Sequence, residues 1–170
     1  MPGRDALRGD IEADVLVVGA GIAGVNCAYR MQRAGLKVVV LEAERVGTGA
    51  TSRTTGKITA QHGLIYDLLT RSFDARTAEI YARANQNAVE EYAEIISREK
   101  IDCDFARADN FVFAREGGEL LEAEFEAMRA AGLDAKLVEK TELPFPVAGA
   151  VGLSGQAHFH PLKYLRALAE

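Results

Sequence analysis

Apolar and polar positions change rhythm several times along this chain. Asp14–Val18 is a run of β-branched and aliphatic residues closed by glycine, which predicts a short buried strand. Ile22–Ala34 carries Ile22, Val25, Cys27, Ala28 and Met31 at helical spacing, with Gly35 as its stop. Lys37–Leu41 is a second apolar strand. Two buried strands joined by a helix lie parallel, with a right-handed crossover.

The rhythm then disappears. Residues 43–63, AERVGTGATSRTTGKITAQHG, are rich in Gly, Thr and Ser and read as an extended loop with many backbone donors. Leu64–Phe73 has room for one or two helical turns. Asp74–Glu99 is a long helix that Asp74 can cap, with Tyr81, Ala84, Ala88, Tyr92 and Ile95 as its packed stripe. The stretch DCDFARADNFVFAR reads as a hairpin turning at Asp109-Asn110. Glu119–Ala131 is an amphipathic helix stopped by Gly132, and AKLVEK a short strand. A proline-punctuated loop, ELPFPVAG, precedes two short strand pieces in GAVGLSGQAHFH. Pro161 opens a last helix whose stripe of Leu162, Leu165 and Leu168 is expected to lack a partner.

Composition narrows the picture. The 170 residues suffice for one domain with its own core. A net charge of −5 argues against a phosphate-tracking surface, so no nucleic-acid partner is expected. Two cysteines, Cys27 and Cys103, form neither a disulfide framework nor a metal motif. The Val15–Val25 run is too short and glycine-rich to span a bilayer, and the charged residues before it do not resemble a secretory signal. A cytoplasmic protein without membrane contact is the expectation.

The chemistry is concentrated at Gly19, Gly21 and Gly24, a GxGxxG turn that leaves a strand and opens a helix. Gly19 permits the tight turn, Gly21 lets a pyrophosphate approach the backbone, and Gly24 lets helix and strand pack closely. The amides of Ile22 and Ala23 and the helix dipole face the phosphates. Glu42 closes the second strand 18 residues after Gly24, where a carboxylate can accept from adenosine ribose hydroxyls and repel a 2′-phosphate. These features suit either FAD or NAD.

The stretch from Asp14 to Gly63, with TTGKITAQHGLIYDLL, resembles the start of flavin oxidoreductases of the D-amino acid oxidase family, and within it a bacterial subgroup carrying a following Rieske iron–sulfur domain. The resemblance implies an α/β fold: a Rossmann-like FAD/NAD(P)-binding βαβ with an inserted α+β segment, incomplete relative to the family. It implies FAD as cofactor, bound at Gly19, Gly21, Ile22, Ala23, Gly24 and Glu42. It extends the site into the loop at Arg45, Thr51, Ser52, Arg53 and Thr54, with Gly56, Lys57 and Ile58 nearest the flavin ring. Residues 1–13 are then a flexible arm, 14–63 the FAD-binding βαβ and its loop, 64–160 a substrate-side layer, and 161–170 the start of a truncated helix. The implied reaction moves hydride to flavin from the carbon beside the nitrogen of an amine or amino acid. The chain alone is expected to be marginally stable, inactive and weak in FAD binding. No catalytic acid or base is assigned. His62 reads as a satisfied loop histidine rather than a base or flavin anchor. His158 and His160 have structural readings, and no metal site is expected. An NAD-dependent dehydrogenase fragment, and a non-catalytic nucleotide-binding subunit completed by a second chain, are the alternatives.

Overall fold

The computed structural model describes residues 4–170. In chain order the elements are β1 (Val15–Val18), α1 (Ile22–Arg33), β2 (Val38–Leu41), a 3-10 turn (Gly49–Arg53), β3 (Lys57–Ile58), α2 (Tyr66–Ser72), α3 (Ala75–Arg98), β4 (Ala106–Ala114), α4 (Glu119–Ala130), β5 (Ala135–Val138), β6 (Gly149–His158) and α5 (Pro161–Ala169). The chain divides into two units. One gathers the residues up to Gly56 with Ile96–Asp104 and Phe159–Glu170; the other holds Lys57–Ile95 and Phe105–His158.

The first unit is built on β1 and β2, paired in parallel with Val15 opposite Val38 and Val18 opposite Leu41. Asp14 and Lys37 fasten the start of the ladder: Asp14 N–H donates to Lys37 O at 2.9 Å, and Lys37 N–H to Asp14 Oδ2 at 2.7 Å. The expected burial of β1 is not met. Leu16 is 56% exposed and Val18 82%, because among the described residues nothing packs on the face they share. On α1, Val25 and Ala28 are buried, but Cys27 is exposed rather than part of the packed side.

The last helix corrects a second expectation. Its stripe is not unpartnered: Tyr164 and Leu165 are fully buried. Tyr164 Oη donates to Asn26 Oδ1 on α1 at 2.6 Å. Gly47, at φ +79°, lies so close that a Cβ there would stand 2.8 Å from Leu162 Cδ2. His160 caps α5, its Nδ1 accepting from Lys163 N–H at 3.4 Å, and Pro161 opens the first turn. The loop read as extended also contains the one-turn 3-10 helix and the short β3.

The second unit is an antiparallel sheet centred on β6. β4 pairs along one side of it, while β5 and β3 divide the other. The hairpin expected at Asp109-Asn110 does not form. β4 is one nine-residue strand, and β6 one ten-residue strand rather than two pieces. The turn signal is absorbed as a bulge: Ala108 pairs with Gln156 and Asn110 with Leu153, so Ser154 and Gly155 share a single opposing residue. Asp109 accepts there from Ser154 Oγ at 3.2 Å and Gly155 N–H at 3.4 Å.

Helices α2, α3 and α4 contribute to the core beneath this sheet, around Tyr66, Ala78, Ala82, Leu121, Met128 and Val151. Asp74 caps α3 as expected, its Oδ1 accepting from Thr77 N–H at 2.6 Å. The buried stripe of α3 is displaced from the expected one: Ala78, Ala82, Val89, Ile95 and Ile96 are buried, whereas Ala84 and Ala88 face outward. Gly132, at φ +87°, ends α4 with Leu133 N–H returning to Met128 O at 3.0 Å. α2 takes its cap from another helix. The wholly buried Glu124 carboxylate on α4 accepts from Tyr66 N–H at 3.0 Å and Asp67 N–H at 2.9 Å. Among the described residues, no helix is long and apolar enough to cross a membrane.

Candidate cofactor site

The glycine turn joins β1 to α1. Gly19 has φ +101°, a conformation that side-chain-bearing residues avoid. A Cβ on Gly24 would lie 2.0 Å from Gly19 O and 3.3 Å from Val17 Cγ1, so the close approach of helix and strand requires glycine here. Gly21 is the N-cap of α1 and supplies no capping side chain. The first amides of the helix therefore face outward for an acceptor to reach.

One acceptor comes from the loop. Thr51, buried in the 3-10 turn, receives Ile22 N–H on its Oγ1 at 3.1 Å. The same oxygen would be 3.4 Å from a Cβ on Gly21. Thr51 thus faces the opening of α1 across 29 residues of sequence.

Glu42 is held from two sides. Its Oε2 accepts from Ala20 N–H at 2.7 Å, and its Oε1 from Glu44 N–H at 3.0 Å. The bond from Ala20, then that from Glu44, hold this exposed carboxyl below the ordinary glutamate range. Gly47 N–H completes the turn by donating to Ala20 O at 2.9 Å.

Of the residues predicted from sequence, Gly19 and Gly21 form the turn, Ile22, Ala23 and Gly24 open α1, and Glu42 and Thr51 reach this turn through Ala20 N–H and Ile22 N–H. Arg45 stands beside them, its carbonyl accepting from Thr48 Oγ1 at 2.8 Å. Ser52, Arg53 and Thr54 are exposed. Ser52 Oγ donates locally to Gly49 O at 3.0 Å, and Thr54 Oγ1 accepts Gly56 N–H at 3.3 Å. Gly56 has φ +71° and packs against Phe159 O, which a Cβ would approach to 2.2 Å. Lys57 belongs to the other unit, exposed on β3 opposite His158.

Ala20 escaped the sequence reading, although its amide links the glycine turn to Glu42. Its place inside GxGxxG was the available signal. His62 Nδ1 lies 2.9 Å from Tyr81 Oη, and partial burial pushes its pKa down.

A cavity of about 590 Å³ opens beside Glu42, wholly within the first unit. Its walls include Ala20, Val25, Ala28, all four residues of β2, the 42–46 segment, the end of α5, and residues from Arg4 to Ile11.

Comparison with known proteins agrees with this geometry. The profile of the family described as FAD dependent oxidoreductase matches residues 14–170. The YhfW protein of Bacillus subtilis (strain 168), whose name describes a Rieske 2Fe-2S iron–sulfur protein, is 38% identical over all of this chain and 34% of its own length. Gamma-glutamylputrescine oxidoreductase of Escherichia coli (strain K12) is 32% identical over 93% of this chain and 39% of its own. The chain thus spans between a third and two fifths of these relatives. Among solved structures, L-proline dehydrogenase from P. horikoshii superposes with a TM-score of 0.69 at 21% identity, over 91% of this chain and 40% of that one. Glycine oxidase from Geobacillus kaustophilus gives 0.66 at 22%, over 92% and 43%. At that identity the structures establish the fold: the mixed α/β architecture of the FAD-binding oxidases. The profile match and the sequence relatives go further, and the chain belongs to the FAD dependent oxidoreductase family.

Proposed function

We propose that this chain holds the ADP half of FAD at Gly19, Gly21, Ile22, Ala23, Gly24, Glu42 and Thr51, within an oxidoreductase that oxidises the C–N bond of a small amine or amino acid. The observation that carries the reading is the coupling of the glycine turn to Glu42 through Ala20 N–H at 2.7 Å. It fixes the ribose-binding carboxylate relative to the amides that meet the diphosphate. The residues fit the group. Gly24 admits no Cβ beside Gly19 O, the start of α1 lacks a cap of its own beyond Thr51, and backbone donors hold the Glu42 carboxyl below the ordinary glutamate range.

When bound, FAD supplies the hydride acceptor, chemistry that no side chain provides. The chain's own contribution is binding. Ile22, Ala23 and Gly24 direct N–H groups and the helix dipole at the diphosphate. Glu42 would accept from the ribose diol, and the Thr51 hydroxyl, while accepting from Ile22 N–H, would have its own proton free to donate to a phosphate oxygen. Arg45 and Arg53 add charge-assisted contacts from the loop, with Ser52, Thr54 and Gly56 continuing the run. The substrate class rests on the names of the relatives, which act on a glutamylated polyamine, on proline and on glycine. No group of this chain is assigned as acid or base.

The bare face of β1, with Val18 in the open, supports a covering segment from the same polypeptide or a complementing chain. An exposed thiol at Cys27 suits a reducing cytoplasm. The test is direct. Purified protein titrated with FAD should quench flavin fluorescence and retain a flavin absorption band after gel filtration. Enhancement of NADH fluorescence with no flavin retained would replace the reading with a nicotinamide dehydrogenase.

A further inference from the structure

Two peptide groups at the start of α1 have their carbonyls held by donors, and both holds lead to α5. We propose that α5 braces the diphosphate end of the cofactor site, with Tyr164 as its positioning residue: the Tyr164 hydroxyl orients Asn26, and Asn26 holds the peptide group that carries the Ala23 N–H. The proposal rests on the reading of the first amides of α1 as diphosphate donors. Every residue it uses lies in the first unit.

Three observations carry it. First, a chain of donors ends on the Ala23 peptide group. A planar peptide unit joins one residue's carbonyl to the next residue's N–H, so Ile22 O and Ala23 N–H move together. Asn26, one turn on, sends Nδ2 to Ile22 O at 2.8 Å. Asparagine is a poor resident of a helix interior, but its side chain leans towards the helix N-terminus, where this carbonyl lies. A carbonyl only accepts, so the amide must turn Nδ2 to Ile22 and Oδ1 away. Tyr164 Oη fixes that choice by donating to Oδ1 at 2.6 Å. Hydrogen bonds in such a series polarise one another, so Ala23 N–H is both set in direction and made a stronger donor.

Second, the Tyr164 ring is itself held. It is fully buried and stands edge-on to Phe159, with centroids 5.3 Å apart and planes at 68°. Phe159 N–H in turn donates to Gly56 O at 3.0 Å. A phenylalanine ring at position 164 would fill the same space, so packing alone does not call for a hydroxyl. A buried hydroxyl needs a partner, and this one reaches a partner 138 residues back in sequence, on the helix that opens at the glycine turn.

Third, the same helix backs a second peptide group of the turn. Gly47 N–H donates to Ala20 O at 2.9 Å, and that carbonyl shares its peptide unit with Gly21 N–H. Gly47 is pressed beneath α5: a Cβ on it would stand 2.8 Å from Leu162 Cδ2 and 3.3 Å from Leu165 Cδ1. α5 also packs on the 3-10 turn, whose Thr51 receives Ile22 N–H. One helix thus backs the peptide units of Gly21 and Ala23 and the turn that caps Ile22.

The experiment uses the full chain with FAD and with inorganic pyrophosphate, which reads the amides of the turn alone. Tyr164→Phe keeps the ring and should weaken both ligands about fivefold, the scale of one hydrogen bond. In the unliganded variant the Ala23 amide nitrogen resonance should move upfield, a change that a general loosening of the fold would not single out. Asn26→Ala should weaken binding to a similar extent. The double variant should bind no worse than Asn26→Ala, because the two residues act in series. Affinities are read well below each variant's melting temperature. If Tyr164→Phe does not fold, Asn26→Ala, at the half-buried end of the chain of donors, carries the same affinity and resonance readouts. Affinity within twofold of wild type would overturn the proposal even if the melting temperature falls, and so would losses that add in the double variant. A wild type that binds neither FAD nor pyrophosphate would instead remove the cofactor reading beneath it.

Discussion

The Ala20 amide and the Glu42 carboxylate meet at 2.7 Å, although 22 residues separate them. This bond ties the glycine turn to the end of β2, the two parts of the proposed nucleotide site. Glu42→Gln should weaken FAD binding about tenfold, since a charge-assisted acceptor is lost both to Ala20 and to the ribose. The pH dependence has a defined sign. Backbone donors depress the folded-state pKa of Glu42, so its stabilisation is complete above the ordinary glutamate value near 4.5 and is lost as pH falls through the lower folded value. Acid unfolding curves of wild type and Glu42→Gln should converge in that acidic window and diverge above it.

Gly24 and Gly152 offer a paired test of close packing. A Cβ on Gly24 would strike Gly19 O at 2.0 Å, backbone against backbone. On Gly152 it would meet the Phe111 ring at 2.7 Å, but that ring is half exposed and can swing away. Gly24→Ala should cost about 1–3 kcal/mol and abolish cofactor binding, whereas Gly152→Ala should cost under about 1 kcal/mol. Urea melts of the two variants would separate these outcomes.

Thr51 stands in for a cap at α1. Thr51→Val keeps the shape and removes the acceptor for Ile22 N–H, at a cost of about 0.5–2 kcal/mol; Thr51→Ser should restore most of it. If the hydroxyl also meets the diphosphate, FAD affinity will follow the same order, threonine and serine above valine, in a fluorescence titration.

Glu124 is the one buried acidic side chain of the second unit whose role can be read from its bonds alone. Its carboxylate accepts the first two amides of α2. Glu124→Ala orphans both and should destabilise the protein by about 2–4 kcal/mol, while Glu124→Gln, which still offers one oxygen, should lose less. Thermal unfolding would also report α2 separately if Tyr66 exchange protection is followed.

Much of this was legible in the residues. The GxGxxG turn depends on local backbone geometry, so its spacing alone placed the passage from β1 to α1. The long helix from Ala75 followed from its period and from Asp74. The errors share a cause. The Asp109-Asn110 pair carries turn chemistry, but its partner strand lies far ahead in sequence, and that pairing converts the turn into a bulge opposite Ser154 and Gly155. β1 reads as buried because its composition suits a covered sheet, while Leu16 and Val18 find nothing above them. The one-step drift of the α3 stripe reflects the same limit, since alanines at neighbouring positions do not declare which face they take. Ala20 acquires its role only through a contact 22 residues away, and the bond from Ile22 to Thr51, a residue the resemblance did point to, spans 29.

The bond between Asn26 and Tyr164 joins residues 138 apart. On a ribosome adding about 5–20 residues per second, the first crossover helix therefore waits on the order of ten seconds for its companion. Throughout that interval α1 presents an unsheltered flank, beside a glycine turn already able to bend. Nascent chains of this protein should consequently engage chaperones early and release them late, with cofactor loading deferred until translation has passed α5.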